Sequence, residues 1–194
     1  MLKNQLPSGW FSDDDIFLYN EFYSKLKPKS KTLEIGCWLG RSICSVAPHI
    51  IEKQIDVFII DTFEGSEDHK TGLHKLATET DLKILFLNNI EIFFTENKNL
   101  IHTIKGDSRN KLLFSENFDD ILFDFIFIDG GHSIDNVKSD IENSIKYVKE
   151  NGIIAGHDYI FDRVKIGVNS IFSNVEVDGN IWWKEIKNSK STQK

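Results

Sequence analysis

Two cysteines among 194 residues leave no material for a disulfide framework. Cys37 and Cys44 stand seven positions apart (44 − 37), and no histidine completes a zinc spacing with them. Positive charge is also in short supply. Against 30 Asp and Glu there are 23 Lys and Arg, a formal net charge of -7. That balance argues against non-specific binding to nucleic acid or an anionic membrane, and leaves a neutral or cationic small molecule open. No window approaches the roughly 18 continuous apolar residues of a membrane span. Met1–Pro7 lacks the apolar core of a signal peptide. A soluble, cytoplasmic protein is therefore expected. Internal repeats are absent too. The remaining composition, 40% hydrophobic and 27% charged, is that of an ordinary globular chain whose length favours one domain.

Three continuous apolar runs stand out: Asp56–Asp61, Asp124–Asp129 and Gly152–Asp158. Runs without polar alternation mark strands of a parallel sheet covered on both faces. Each ends in an acid, so several carboxylates should converge on one rim, where such sheets bind ligands. Thr32–Ile35 and Ile101–Lys105 read as further strands, and Val175–Val177 with Ile181–Ile186 as a final hairpin. The spacing predicts helices over 12–26, capped by Ser12, over Arg41–Glu52, over Leu82–Phe94 and over 134–150, capped by Ser133. Trp182 and Trp183 should face opposite sides of their strand, one in the core and the other at an edge or interface. Residues 64–69 read as an exposed loop and Lys187–Lys194 as a disordered tail.

The segment Leu33-Glu34-Ile35-Gly36-Cys37-Trp38-Leu39-Gly40-Arg41-Ser42 reads as strand, glycine turn and first helical turn, a unit that binds nucleotide-like cofactors. A carboxylate at Glu34 would repel a pyrophosphate and suit an ammonium or sulfonium group. That favours S-adenosylmethionine over NAD, with Glu34, Gly36 and Gly40 at its methionine end. Asp61, 21 positions past Gly40 (61 − 40), is placed to accept hydrogen bonds from ribose hydroxyls, with Thr62 and Phe63 beside the ribose or adenine. Gly106-Asp107-Ser108 is good turn chemistry after a strand. Asp129, His132, His157 and Asp158 form a second constellation. Its oxygen donors suit Mg²⁺, Ca²⁺ or Mn²⁺, while hydrogen bonding within the rim is the plainer alternative.

In this order and spacing, LEIGCWLGRS at 33–42, IIDTFEGSED at 59–68, KGDS at 105–108, FIDGGHSIDNVKSDI at 127–141 and GIIAGHDY at 152–159 resemble the class I S-adenosylmethionine-dependent methyltransferases. Within that class the chain is similar to methyltransferase family 24 and to the sugar O-methyltransferases related to macrocin O-methyltransferase. Trp38 departs from the class, standing where many members carry the middle of three loop glycines. The resemblance implies an α/β fold, Rossmann-like and doubly wound. Its mostly parallel seven-stranded sheet would end in a C-terminal antiparallel hairpin, with a helical extension at 1–29 before a catalytic domain at 30–186. It further implies S-adenosylmethionine held by Glu34, Gly36, Cys37, Gly40, Asp61, Thr62, Asp107, Ser108 and Asp129, with Asp107 on the adenine amino group. By the same resemblance His132 is the general base, and Asp129, His157 and Asp158 would hold a divalent cation, Mg²⁺ or Mn²⁺. His157 departs from the pattern, since those enzymes usually have a third acid there.

The implied reaction is methylation of a hydroxyl on a small molecule, a sugar or glycoconjugate, with a homodimer admissible. A histidine with an ordinary pKa of about 6.5 suits proton removal near neutrality. Residues 64–100, with Glu64 and His69, would form a lid. Transfer to nitrogen, a hydroxylation-type outcome and a catalytically silent cofactor-binding scaffold stay open as other uses of the same motifs.

Overall fold

The computed structural model describes residues 5–65 and 72–187. Chain order is α1 (Asp13–Lys25), β1 (Lys31–Ile35), α2 (Arg41–Ser45), α3 (Ala47–Lys53), β2 (Asp56–Asp61), α4 (Leu76–Glu79), α5 (Leu82–Phe94) and β3 (Ile101–Lys105). It continues through α6 (Lys111–Phe118), β4 (Phe123–Ile128), α7 (Ile134–Ser144), β5 (Val148–Gly156), α8 (Asp162–Ile171), β6 (Glu176–Asp178) and β7 (Ile181–Glu185). The strands form one sheet in the order β3-β2-β1-β4-β5-β7-β6. β1 to β5 run parallel, and β7 is antiparallel to both β5 and β6.

Alternation along the strands builds a core on each face. Ile59, Phe125, Phe127 and Ile181 face α1, α2, α3 and α5. Leu33, Ile35, Ile60, Ile126, Ile128 and Trp182 face α6, α7 and α8. With both faces covered, every strand position can be apolar, which is why these strands are continuous apolar runs. The connections wind outward from β1 to β2 and β3 on one side and to β4 and β5 on the other. The topological switch point therefore lies between the carboxyl ends of β1 and β4.

Several local expectations change. The helix expected over Arg41–Glu52 is two helices broken at Val46 (φ -104°), with Pro48 in the first turn of α3. There proline's missing N–H costs nothing. The helix expected over 134–150 stops at Ser144, passes through a 3-10 turn, and gives way to β5 at Val148. Lys149 is thus a strand residue, paired with Asp124 at 2.7 Å. Asn88 and Asn89 do not interrupt α5, and the Asn89 side-chain amide donates to the Leu39 carbonyl. α5 is a layer helix of the core and not part of a lid. Trp182 is buried against one layer and Trp183 packs toward the other, but β7 lies between β5 and β6, so the sheet edge is β6. The loop expected at 64–69, from Ser66 to His69, and the tail at 188–194 fall outside the described residues.

Candidate functional site

The carboxyl end of β1 turns at Gly36 (φ +81°), and the loop closes at Gly40 (φ +83°), the N-cap of α2. Asp61, at the end of β2, organises this loop. Its Oδ2 accepts the N–H groups of Cys37 at 2.7 Å and Trp38 at 3.1 Å, and its Oδ1 accepts that of Phe63 at 2.6 Å. A carboxylate has about four lone-pair sites, so three bonds leave one for a ligand hydroxyl. Thr62 lies beside it, its Oγ1 accepting from the Glu64 N–H. Phe63, expected beside the ribose or adenine, is buried and packs on Phe86. Trp38 (φ +50°), Phe63 (φ +56°) and Asp158 (φ +60°) all hold left-handed backbone around this rim, where strain in side-chain-bearing residues tends to collect.

Glu34 is not at the open rim. Alternation along β1 turns it inward, where Tyr19 Oη donates to Oε2 at 2.7 Å and Ser42 Oγ to Oε1 at 2.5 Å. Burial pushes its pKa up to about 8, so the carboxylate expected to face the cofactor is a buried carboxyl that keeps its proton at neutrality. The folded state holds this proton between about pH 4.5 and 8, whereas the unfolded chain releases it. Stability contributed here falls as pH rises through that window. Glu34→Gln has no charge to bury, and its amide accepts from one of the two hydroxyls and can donate to the other. Its melting temperature should exceed that of the wild type by several degrees near pH 9 and match it near pH 5. Equal melting curves at both values would show that Glu34 is not the buried acid described.

Asp107 is engaged by Arg109, whose Nε donates to both oxygens at 2.9 and 3.0 Å, and this partner holds the carboxyl below its ordinary range. Ser108 is fixed from α7, its carbonyl accepting from Asn143 Nδ2 at 2.8 Å. Cys37 is buried and free, its thiol pushed up by burial.

The loops after β4 and β5 bring the second constellation together. Asp129 N–H donates to the Ile35 carbonyl and His157 N–H to the Ile128 carbonyl, which locks the three strand ends side by side. His132 Nε2 lies 2.7 Å from Asp158 Oδ2. Burial alone would raise the Asp158 pKa, but hydrogen bonds from His132 and His157 hold it well below the usual carboxylate range. Asp129 is raised to about 6 by burial. Among the described residues, ligand atoms of Asp129, His132 and Asp158 lie within 4.8 Å of one another. His157, expected as the third metal ligand, is buried beneath the two acids. Its Nε2 lies 3.2 Å from Asp15 Oδ2, and its Nδ1 lies 3.3 Å from Asp158 Oδ1 and 3.6 Å from Asp129 Oδ1. Sequence reasoning missed Asp15, one of three acids in the first turn of α1. Unlike its neighbours Asp13 and Asp14, it is buried.

Comparison with known proteins agrees with this geometry. A family model described as a methyltransferase domain, family 24, matches residues 33–159. Among solved structures, the calicheamicin-biosynthesis enzyme CalS11, a TDP-rhamnose 3'-O-methyltransferase, superposes with a TM-score of 0.65 at 13% identity, over 90% of this chain and 81% of its own. The O-methyltransferase NovP gives 0.60 at 14% identity, over 94% and 84%. MycE of the mycinamycin pathway, solved with Mg and SAH, gives 0.59 at 14% identity, over 95% of this chain and 51% of its own. No curated protein sequence matches the chain. The family match covers the loop on β1, the Asp61 strand end and the Asp129–Asp158 rim, and the chain belongs to the class I methyltransferases, whose methyl donor is S-adenosylmethionine.

Proposed function

We propose that this protein methylates a hydroxyl oxygen of a small molecule, a sugar or glycoconjugate, using S-adenosylmethionine. The observation that carries this reading is the His132–Asp158 pair, gathered with Asp129, whose backbone packs on the Gly36 turn. The donor, when bound, supplies an electrophilic methyl group on a sulfonium, and the sulfur keeps the bonding electrons as the methyl leaves. Gly36, Cys37 and Gly40 shape the loop for its methionine end, and the remaining lone pair of Asp61 accepts a ribose hydroxyl. Thr62, Asp107 and Ser108 line the nucleoside side, and Asp129 borders the transferred group. Glu34 acts behind the loop, holding Ser42 at the start of α2.

Asp158 stays ionised and accepts from His132 Nε2–H, which orients the imidazole and makes it more basic. The His132 ring takes the acceptor's proton as the acceptor oxygen bonds the methyl carbon and the sulfur keeps the electrons of the broken bond. Holding the oxygen in line accounts for much of the rate, and general base catalysis adds about 10²–10⁴-fold.

Two histidine rings already face the oxygens that a divalent cation would use. Asp158 is bonded by His132, and the His157 ring lies within 3.6 Å of both acids. This arrangement does not fit Mg²⁺, and no step is assigned to a metal. The reading is tested with methyl-labelled S-adenosylmethionine and a panel of sugars, phenols and amines. Label recovered on a sugar or other hydroxyl, dependent on His132, supports it. Label on an amine would move the reaction to nitrogen. Donor binding without transfer to any acceptor would point to a silent scaffold.

A further inference from the structure

We propose that His157, clamped by Asp15 of the N-terminal helix, is a built-in cation that balances and positions Asp129 and Asp158 in place of a divalent metal. The argument begins with the ring. Both nitrogens face carboxylate oxygens, Nε2 toward Asp15 and Nδ1 toward Asp158 and Asp129. A neutral imidazole presents one N–H and one lone pair, and a lone pair aimed at a carboxylate is repelled. The doubly protonated ring is the form that turns no lone pair toward a carboxylate on either side. These are ion-pair contacts and not ideal hydrogen bonds, so charge dominates them.

Burial makes the charge consequential. The side chains of His157 and Asp15 are each 4% exposed, so water neither screens the pair nor replaces either partner. Asp15 is itself fixed by the helix cap, because Ser12 N–H and Oγ both donate to its Oδ2. Phe11 closes the remaining side, its ring 5.2 Å from that of His157. The cation therefore reaches the rim from beneath, fastened to a segment far away in sequence. A dication seated on Asp129, His132 and Asp158 would meet this positive ring within a few ångströms and would have to break the His132–Asp158 contact. His157 cannot coordinate an acceptor hydroxyl as a metal would. It holds the two acids in place while His132 removes the proton, and is thus a positioning residue. This role in the reaction rests on the methyltransferase reading above, but the charge arrangement does not.

The test is carried out on the full chain without acceptor. Histidine ¹⁵N spectra near neutral pH should show both His157 ring nitrogens protonated, with assignment by the loss of those signals in His157→Gln. Calorimetric titration with Mn²⁺ and with Mg²⁺ should show no binding at millimolar ion. His157→Asp, which replaces the cation with a carboxylate, should bind Mn²⁺ at least about tenfold more tightly, a gain of about 1.4 kcal/mol. A neutral His157 ring, or micromolar Mn²⁺ binding by the wild type that Asp158→Asn removes, would overturn the proposal. The wild-type measurements decide the matter even if His157→Asp does not fold. A failure to bind S-adenosylhomocysteine would overturn the methyltransferase reading and leave the ring and metal results standing.

Discussion

Gly36→Ala should abolish cofactor binding and destabilise the fold by about 3 kcal/mol or more, the range reached when a side chain is forced into strained backbone against a packed neighbour. Gly36 has φ +81°, which L side chains rarely adopt. A Cβ there would lie 2.2 Å from the Asp129 carbonyl oxygen and 2.8 Å from the Gly130 Cα. Both are backbone atoms of the facing strand end, so no side chain can swing aside. Relief requires β1 and β4 to separate at their tips, and the Asp129 N–H bond to the Ile35 carbonyl would be lost with them. Chemical denaturation gives the stability change, and titration with S-adenosylhomocysteine gives the binding loss. A Gly36→Ala protein with wild-type stability and affinity would mean that the switch point is not packed as described.

His132→Gln should leave S-adenosylhomocysteine affinity within about twofold of wild type and lower the rate of methyl transfer by about 10²–10⁴, the usual contribution of a positioned base. The reasoning depends on the Asp158 contact. With Asp158 held ionised, its carboxylate orients the His132 ring and raises its basicity. Glutamine keeps a donor for Asp158 but offers no base. Single-turnover rates with an accepted hydroxyl substrate measure the loss directly. An unchanged rate would remove His132 from the chemistry and leave in-line positioning alone.

Much of the fold was legible because its signals are local. Continuous apolar runs named β2, β4 and β5, and the cap residues Ser12 and Ser133 marked α1 and α7 at their starts. The end of α7 was not legible, since Val148 and Lys149 extend its periodicity and only the pairing of β5 with β4 and the Asp124 contact make them strand. The α6 and α8 helices were passed over although signals existed. Asn110 caps α6, with Phe114 and Phe118 four residues apart, and Val164 and Val168 repeat that spacing in α8. At the site, the convergence of Asp129, His132 and Asp158 followed from strand ends sharing a rim. What the sequence hid were tertiary partners. Nothing local to Glu34 announces Tyr19 above it, and nothing local to His157 announces Asp15. Such pairs decide whether an acid is a surface anion, a neutral buried carboxyl or a counter-ion, and residue type alone does not distinguish these.

The central claim is that the Gly36–Gly40 loop and Asp61 receive S-adenosylmethionine. Isothermal titration of the intact protein with S-adenosylhomocysteine tests it most directly. The account predicts one site with micromolar affinity, about -8 kcal/mol, weakened at least tenfold by Asp61→Ala and unaffected by EDTA. A folded protein that shows no heat with S-adenosylhomocysteine, or that binds NAD instead, would contradict it.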